Sequence, residues 1–128
     1  MEKDNVLAPS PAKMVKTESM TDIEKLIQVE FLDKDFAKRF VYKPGQFVEV
    51  SVMGVGEAPV SICAARKNED TLELCVRKVG RVTNAIYRLN VGDLLWIRGP
   101  YGNGFSMEKM KGSNLLLVAG GLGVAPLR

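Results

Sequence analysis

Three short segments of the sequence carry residue types that could hold a charged ligand or a reacting group. The first is Gly120-Gly121-Leu122-Gly123-Val124-Ala125-Pro126, which follows the apolar run Leu115-Leu116-Leu117-Val118-Ala119. Glycines after a buried strand let a backbone approach a pyrophosphate, and Pro126 suits the first turn of a helix. The third glycine of the usual dinucleotide fingerprint is absent, so the segment reads equally well as a ligand loop or a plain tight turn. The second segment is Arg77-Lys78-Val79-Gly80-Arg81-Val82-Thr83-Asn84. Gly80 gives a turn, Thr83 opens a helix, and free N–H groups beside Arg77, Lys78 and Arg81 make an anion site. A capped helix with solvated basic neighbours accounts for the same residues. The third is Glu57-Ala58-Pro59-Val60-Ser61, where a proline-stiffened strand entry sets a hydroxyl among small residues. A barrel strand with an incidental serine reads the same way.

Composition narrows the chemistry. Histidine, the commonest general base and metal ligand, is absent. Neither a CxxC spacing nor a carboxylate cluster replaces it, so no metal site is expected. Hydrolytic and zinc chemistry are disfavoured, which points to a reaction carried by a bound cofactor. Cys63 and Cys75 are too few for a disulfide framework. If residues 68–70 close a hairpin, the two cysteines lie opposite each other on neighbouring strands, sharing a face with Ser61 and Arg77. There they are expected to stay reduced, as small packing residues. The net charge is only +3 and the basic residues are spread along the chain, which argues against a nucleic-acid partner. Glu2, Lys3 and Asp4 stand where a signal peptide would turn apolar, and no stretch reaches the roughly 20 apolar residues of a membrane span. A cytoplasmic protein is the expectation.

The elements that must position these segments are short. At 128 residues, 46% apolar and 26% charged, the chain suits one globular domain. Residues 1–11 read as an extended leader. Strands are expected at 12–17, 25–31, 47–53, 59–65 and 94–98, with another carrying Leu72, Leu74 and Val76 on one face. Residues 33–42 look charged and irregular, residues 67–70 look like a hairpin turn, and one helix is expected over 83–89 with Thr83 as its cap. The fold class is therefore all-β: a six-stranded antiparallel Greek-key barrel with one short helix, over residues 12–110. The continuously apolar run 115–119 has the chemistry of a parallel strand covered on both faces. Residues 111–128 are thus expected to begin a truncated α/β nucleotide-binding domain. Without a sheet to enter, the segment after Ser113 is expected to be disordered, to fold against the barrel, or to self-associate with another copy of the chain.

Five segments in order carry a resemblance. They are Pro44-Gly45-Gln46-Phe47, Pro59-Val60-Ser61, Gly80-Arg81-Val82-Thr83, Gly99-Pro100-Tyr101-Gly102 and the Gly120 to Pro126 turn. Together they resemble the ferredoxin–NADP reductase superfamily from about residue 12 to the end. Within it, "KPGQFVEVSVMGVGEAPVSI" is most similar to the gamma subunits of hydrogenases and sulfhydrogenases. Anaerobic sulfite reductase, in its B component, and the electron-transfer subunit of dihydroorotate dehydrogenase are also similar.

The resemblance implies a flavin-binding barrel joined to an NAD(P)-binding domain, an oxidoreductase that passes electrons from NAD(P)H through flavin to an iron–sulfur partner. FAD is the implied flavin and FMN the alternative, while NAD(P)H and the iron–sulfur cluster belong to a longer parent. Partners would be other subunits of a redox complex. Carried over residue by residue, Pro59, Val60 and Ser61 lie along the isoalloxazine, with Ser61 the catalytic candidate near flavin N5. Gly80, Val82 and Thr83 hold the flavin phosphates through backbone N–H groups and the Thr83 hydroxyl. Arg77 supplies charge, and Gly120, Gly121 and Gly123 face the nicotinamide dinucleotide. The superfamily's usual arginine and aromatic before the serine are replaced here by Ala58 and Val60. That departure supports the alternative, a subunit-interaction barrel that binds no flavin. The chain alone is expected to be inactive.

Overall fold

The structure is a computed structural model describing residues 7–128. Six strands follow in order: β1 (Ser10–Ser19), β2 (Glu24–Phe31), β3 (Phe47–Val52), β4 (Gly56–Ser61), β5 (Thr71–Arg77) and β6 (Leu94–Tyr101). Alternation makes each strand two-faced. Ile27, Val29 and Phe31 of β2, Val48 and Val50 of β3, Leu72, Leu74 and Val76 of β5, and Leu95 and Ile97 of β6 are all buried. They meet in one core with Ala12 and Met14 of β1. Slipping a ladder by one residue would turn such a row to water, so burial holds the register.

Every ladder is antiparallel, and the spatial order is β4-β3-β6-β1-β2-β5. Hairpins join β1 to β2 and β3 to β4, whereas β6 reaches both β1 and β3, the Greek-key connection. The two edges of the sheet meet at a single bridge, Ile62 with Leu74, where the Cys63 N–H donates to the Glu73 carbonyl at 3.4 Å. The expected barrel is present, closed at one point of its β4–β5 seam.

Several elements differ from the sequence expectation. β1 starts at Ser10, inside the expected leader; residues 1–6 of that leader lie outside the described residues. Residues expected to be irregular form helix α1 (Lys34–Arg39). The Asp33 carboxylate caps it by accepting the N–H groups of Asp35 at 2.9 Å and Phe36 at 3.0 Å. Phe36 and Phe40 then pack on Phe31 with ring centroids 5.1 and 5.0 Å away, and the Arg66 guanidinium donates to the carbonyls of Ala37 and Phe40. Helix α2 (Arg81–Arg88) begins two residues earlier than expected, with Gly80 as the N-cap, and buries Ile86 in the core. The 67–70 turn closes only one antiparallel bridge, Ile62 with Leu74, and that register sets Cys63 opposite Glu73. Cys75 therefore lies beside Leu26 of β2 rather than opposite Cys63. β6 runs on through Gly99 and Pro100 to Tyr101, and a third helix, α3 (Met107–Met110), follows it.

The expected strand at 115–119 does not form. A parallel strand is held by ladders to its neighbours, and no strand lies beside it among the described residues. Leu116 and Val118 stand 88% and 79% exposed. The chain then turns into a 3₁₀ segment, Gly121–Leu127, which buries Ala125 and pins Arg128 to Glu73 at 3.0 Å. Of the outcomes expected for this segment, its end folds against the barrel.

Candidate functional site

The open part of the β4–β5 seam is a cavity of about 410 Å³. Pro59, Val60 and Ser61 form one wall, and Cys75, Val76 and Arg77 form the facing wall. Thr83 lies at its α2 end, while Leu122, Gly123, Ala125 and Pro126 cover another side. Strand pairing explains how β4 presents itself. Val60 pairs with Val48 and Ala58 with Val50, both buried, so Val60 faces the core. Pro59 and Ser61 alternate to the other face. Proline suits an edge strand because it has no N–H to leave unpaired.

The α2 end of the cavity presents backbone donors at a helix start. The Thr83 hydroxyl accepts the N–H groups of Val79 and Gly80, each at 3.0 Å, and donates to the Gly80 carbonyl at 3.2 Å. The Asn84 amide donates to the same carbonyl at 2.7 Å. Thr83 thus spends its full hydrogen-bonding capacity on shaping the loop. That leaves first-turn donors from Arg81, Val82 and Thr83, which have no acceptor within a helix. Gly80 itself has φ −156°, extended backbone open to any residue. A Cβ there would meet nothing within 4 Å. The chain's own packing therefore does not require glycine, and the open space beside these N–H groups suits close approach of phosphate oxygens.

The structure brings Pro59, Val60, Ser61, Arg77, Thr83 and Gly123 to one cavity. Gly80 and Val82 belong to the adjoining helix start rather than to the cavity wall, and the Val82 side chain packs on the core. Gly121 takes φ +56° in the covering turn, and its added Cβ would stand 4.0 Å from the Arg77 guanidinium. Gly120 is exposed and outside the cavity wall. Arg77 is also 3.7 Å from Glu24, so its charge is partly engaged. Sequence reasoning gave Cys75, Val79, Leu122 and Ala125 no site role, although it expected Cys75 on a face with Ser61 and Arg77, because no local signal marks how far the β4–β5 seam stays open.

Nucleophilic thiol chemistry does not fit this pocket. Both cysteines are free. Burial, followed by the nearby Glu73 charge, pushes the Cys63 thiol up to about 11, and burial also raises Cys75. Both are held as neutral thiols at pH 7. Among the described residues no group of acidic, cysteine or histidine side chains could hold a metal ion, and no helix is long and apolar enough to cross a membrane. A second cavity of about 480 Å³, at Lys43, Phe105 and Met107, contains none of the expected site residues.

Comparison with known families decides the lineage. Residues 13–105 match the oxidoreductase FAD-binding domain. The chain belongs to that family.

This FAD-binding domain is 48% identical over 128 residues to sulfhydrogenase 1 subunit gamma of Pyrococcus furiosus, covering all of the chain and 44% of that relative. It is 50% identical over 117 residues to sulfhydrogenase 2 subunit gamma of the same organism, covering 91% of the chain and 40% of that relative. A probable dihydroorotate dehydrogenase B (NAD(+)) electron transfer subunit of P. furiosus is 44% identical over 71% of the chain and 33% of its own length. The chain therefore spans less than half of each. Among solved structures, the Amycolatopsis cytochrome P450 reductase GcoB superposes with a TM-score of 0.77 at 24% identity, over 94% of the chain and 37% of GcoB. A Malassezia yamatoensis flavohemoglobin, solved with FAD and heme, gives 0.72 at 22% identity over 93% and 32%. At those identities the likeness is one of fold.

Proposed function

We propose that this FAD-binding domain serves an NAD(P)H-dependent electron-transfer subunit, moving electrons from NAD(P)H through FAD to an iron–sulfur partner in a redox complex. The observation that carries this reading is the cavity in the β4–β5 seam, where Pro59 to Ser61, Arg77 and Thr83 converge. The names of the sulfhydrogenase and dihydroorotate dehydrogenase relatives supply the reaction class.

FAD, when bound, supplies the exchange between two-electron and one-electron chemistry. The chain's residues supply the rest. Pro59, Val60 and Ser61 would flank the ring, with Ser61 Oγ holding a hydrogen bond at ring N5. The N–H groups of Arg81, Val82 and Thr83, opened by Gly80 and supported by Arg77, would hold the phosphates. The covering turn, with Leu122 and Gly123, would keep water from the ring. Residues 12–110 form the flavin domain in this proposal. Residues 111–128 begin an NAD(P)-binding domain in which Gly120, Gly121 and Gly123 face the dinucleotide. Free Cys63 and Cys75 suit a reducing cytoplasm.

A second reading, a barrel that joins subunits without flavin, is favoured by one observation: Ala58 and Val60 stand where the superfamily has its arginine and aromatic. Fluorescence titration of the purified chain with FAD and with FMN separates the two. Saturable quenching by FAD, with a yellow protein that releases flavin on denaturation, supports the first reading. No binding of either flavin to the folded chain overturns it in favour of the second.

A further inference from the structure

We propose that Arg98 and Glu57 act as a positioning pair that sets the β4 wall of the cavity and, with it, the phosphate end. This rests on the flavin reading above.

β4 is one of the two edge strands of the sheet, laddered to β3 on one side. On its other side it has only the Ile62 bridge, past the end of the strand. Pro59 to Ser61 therefore sit on a strand with one free side. Arg98 compensates from two strands away. Its guanidinium reaches over β3 from β6 and grips Glu57 with a fork, Nε to Oε2 at 2.7 Å and Nη2 to Oε1 at 2.5 Å. Ser51 of β3 donates to Glu57 Oε2 at 3.1 Å. The fork is itself held, because Arg98 Nη1 donates to the Tyr101 hydroxyl at 3.1 Å and the guanidinium lies 5.4 Å from the Tyr101 ring centroid. A bidentate, backed pair fixes direction as well as distance, which a single flexible contact does not.

The neighbouring residue carries that restraint to the other end of the site. Gly56 has φ +142°, and a Cβ on it would come 3.1 Å from Val82 Cγ2. The start of β4 thus abuts the first turn of α2, whose N–H groups form the anion end. Held at Glu57, β4 sets both the wall carrying Ser61 and the seat of Val82.

The test is FAD titration of the whole 128-residue chain and its variants Glu57→Gln, Arg98→Met and the double variant. Each single change should weaken FAD binding about tenfold and shift the visible band of the bound flavin towards that of free FAD. The double should bind no more weakly than the weaker single, as expected for one device. Arg98→Lys, which keeps charge and loses the fork, should bind between the parent and Arg98→Met. Lys34→Met is the control for ion-pair loss as such. It breaks the Lys34–Asp70 pair of 3.1 Å, away from the cavity, and should leave FAD affinity and band position unchanged. Parental affinity, within about twofold, and an unchanged band in Glu57→Gln and Arg98→Lys overturn the positioning role while the flavin reading stands. A folded parent that does not bind FAD overturns both.

Discussion

Ser61 and Arg77 line facing walls of one cavity from strands that share no ladder. Their proximity depends on a seam that closes once, at Ile62 and Leu74, and then stays open. What occupies that opening, and what holds its walls, can each be put to experiment.

Thr83→Val should lower FAD affinity through the loop. The variant strips an acceptor from the N–H groups of Val79 and Gly80. A loss of roughly 0.5–1.5 kcal/mol in binding is expected, the net size of a hydrogen bond. Equal Kd values in folded parent and variant would remove Thr83 from the site.

Gly80→Ala separates ligand space from fold. The backbone there is extended and a Cβ meets nothing, so Tm should stay within about 2 °C of the parent. FAD affinity should nonetheless fall, by about fivefold or more, because the methyl group enters the space proposed for phosphate. Gly56→Ala should do the opposite kind of damage. Its φ of +142° and the 3.1 Å approach to Val82 predict a fold-level cost, about 1–3 kcal/mol by denaturant unfolding.

The outer face of β3 and β4 should show two carboxyls of opposite pH behaviour. The Arg98 guanidinium, helped by the Ser51 hydroxyl, holds the Glu57 carboxyl below its ordinary value of 4.5. Its stabilising contribution is present above 4.5 and lost as pH falls through the lowered folded value. Burial, followed by the Glu57 charge, raises Glu49 above 4.5. Ionising Glu49 therefore costs stability as pH rises from 4.5 through its raised value. Thermal melts across pH 2 to 8 should show Glu57→Gln destabilised at neutral pH and converging with the parent in acid. Glu49→Gln should be more stable than the parent at neutral pH; a Glu49→Gln melt below the parent at pH 7 contradicts the assignment.

Thiol alkylation followed by mass spectrometry reports on the same cavity. With its thiol pushed up to about 11 and its side chain buried, Cys63 should react slowly at pH 8 in the native protein. Cys75 lines the cavity, so its labelling should slow further when FAD is added. Labelling of Cys75 that is indifferent to saturating FAD would place the flavin elsewhere.

Much of the barrel could be read from alternation, because rows such as Ile27-Val29-Phe31 and Leu72-Leu74-Val76 announce a buried face directly. Helix α1 had a signal too: Asp33 before the first turn, and Phe36 and Phe40 four residues apart. The run was too short to stand out, and only docking on Phe31 makes it hold. Thr83 was legible as a helix-start residue, but its hydroxyl points back to Gly80 and Val79 instead of opening the helix. The cavity's far wall was legible only in part: Arg77 stood out by its charge and Cys75 was expected on its face, but the opening between the strands had no local signal. Whether β5 pairs with β4 or with β2 is decided by how the whole sheet curls, and no short window contains that choice.

The incomplete seam also bears on heat and time. Amide protons near Ser61 and Arg77 belong to edges that no facing ladder protects beyond the Ile62 bridge, so among the strands hydrogen exchange should be fast there in the flavin-free chain. Flavin lodged between the two edges, as proposed, would join them in place of the missing strand contacts. Cofactor retention and barrel opening would then be a single equilibrium, in which excess FAD should raise the melting temperature and each thermal opening would offer the flavin its way out.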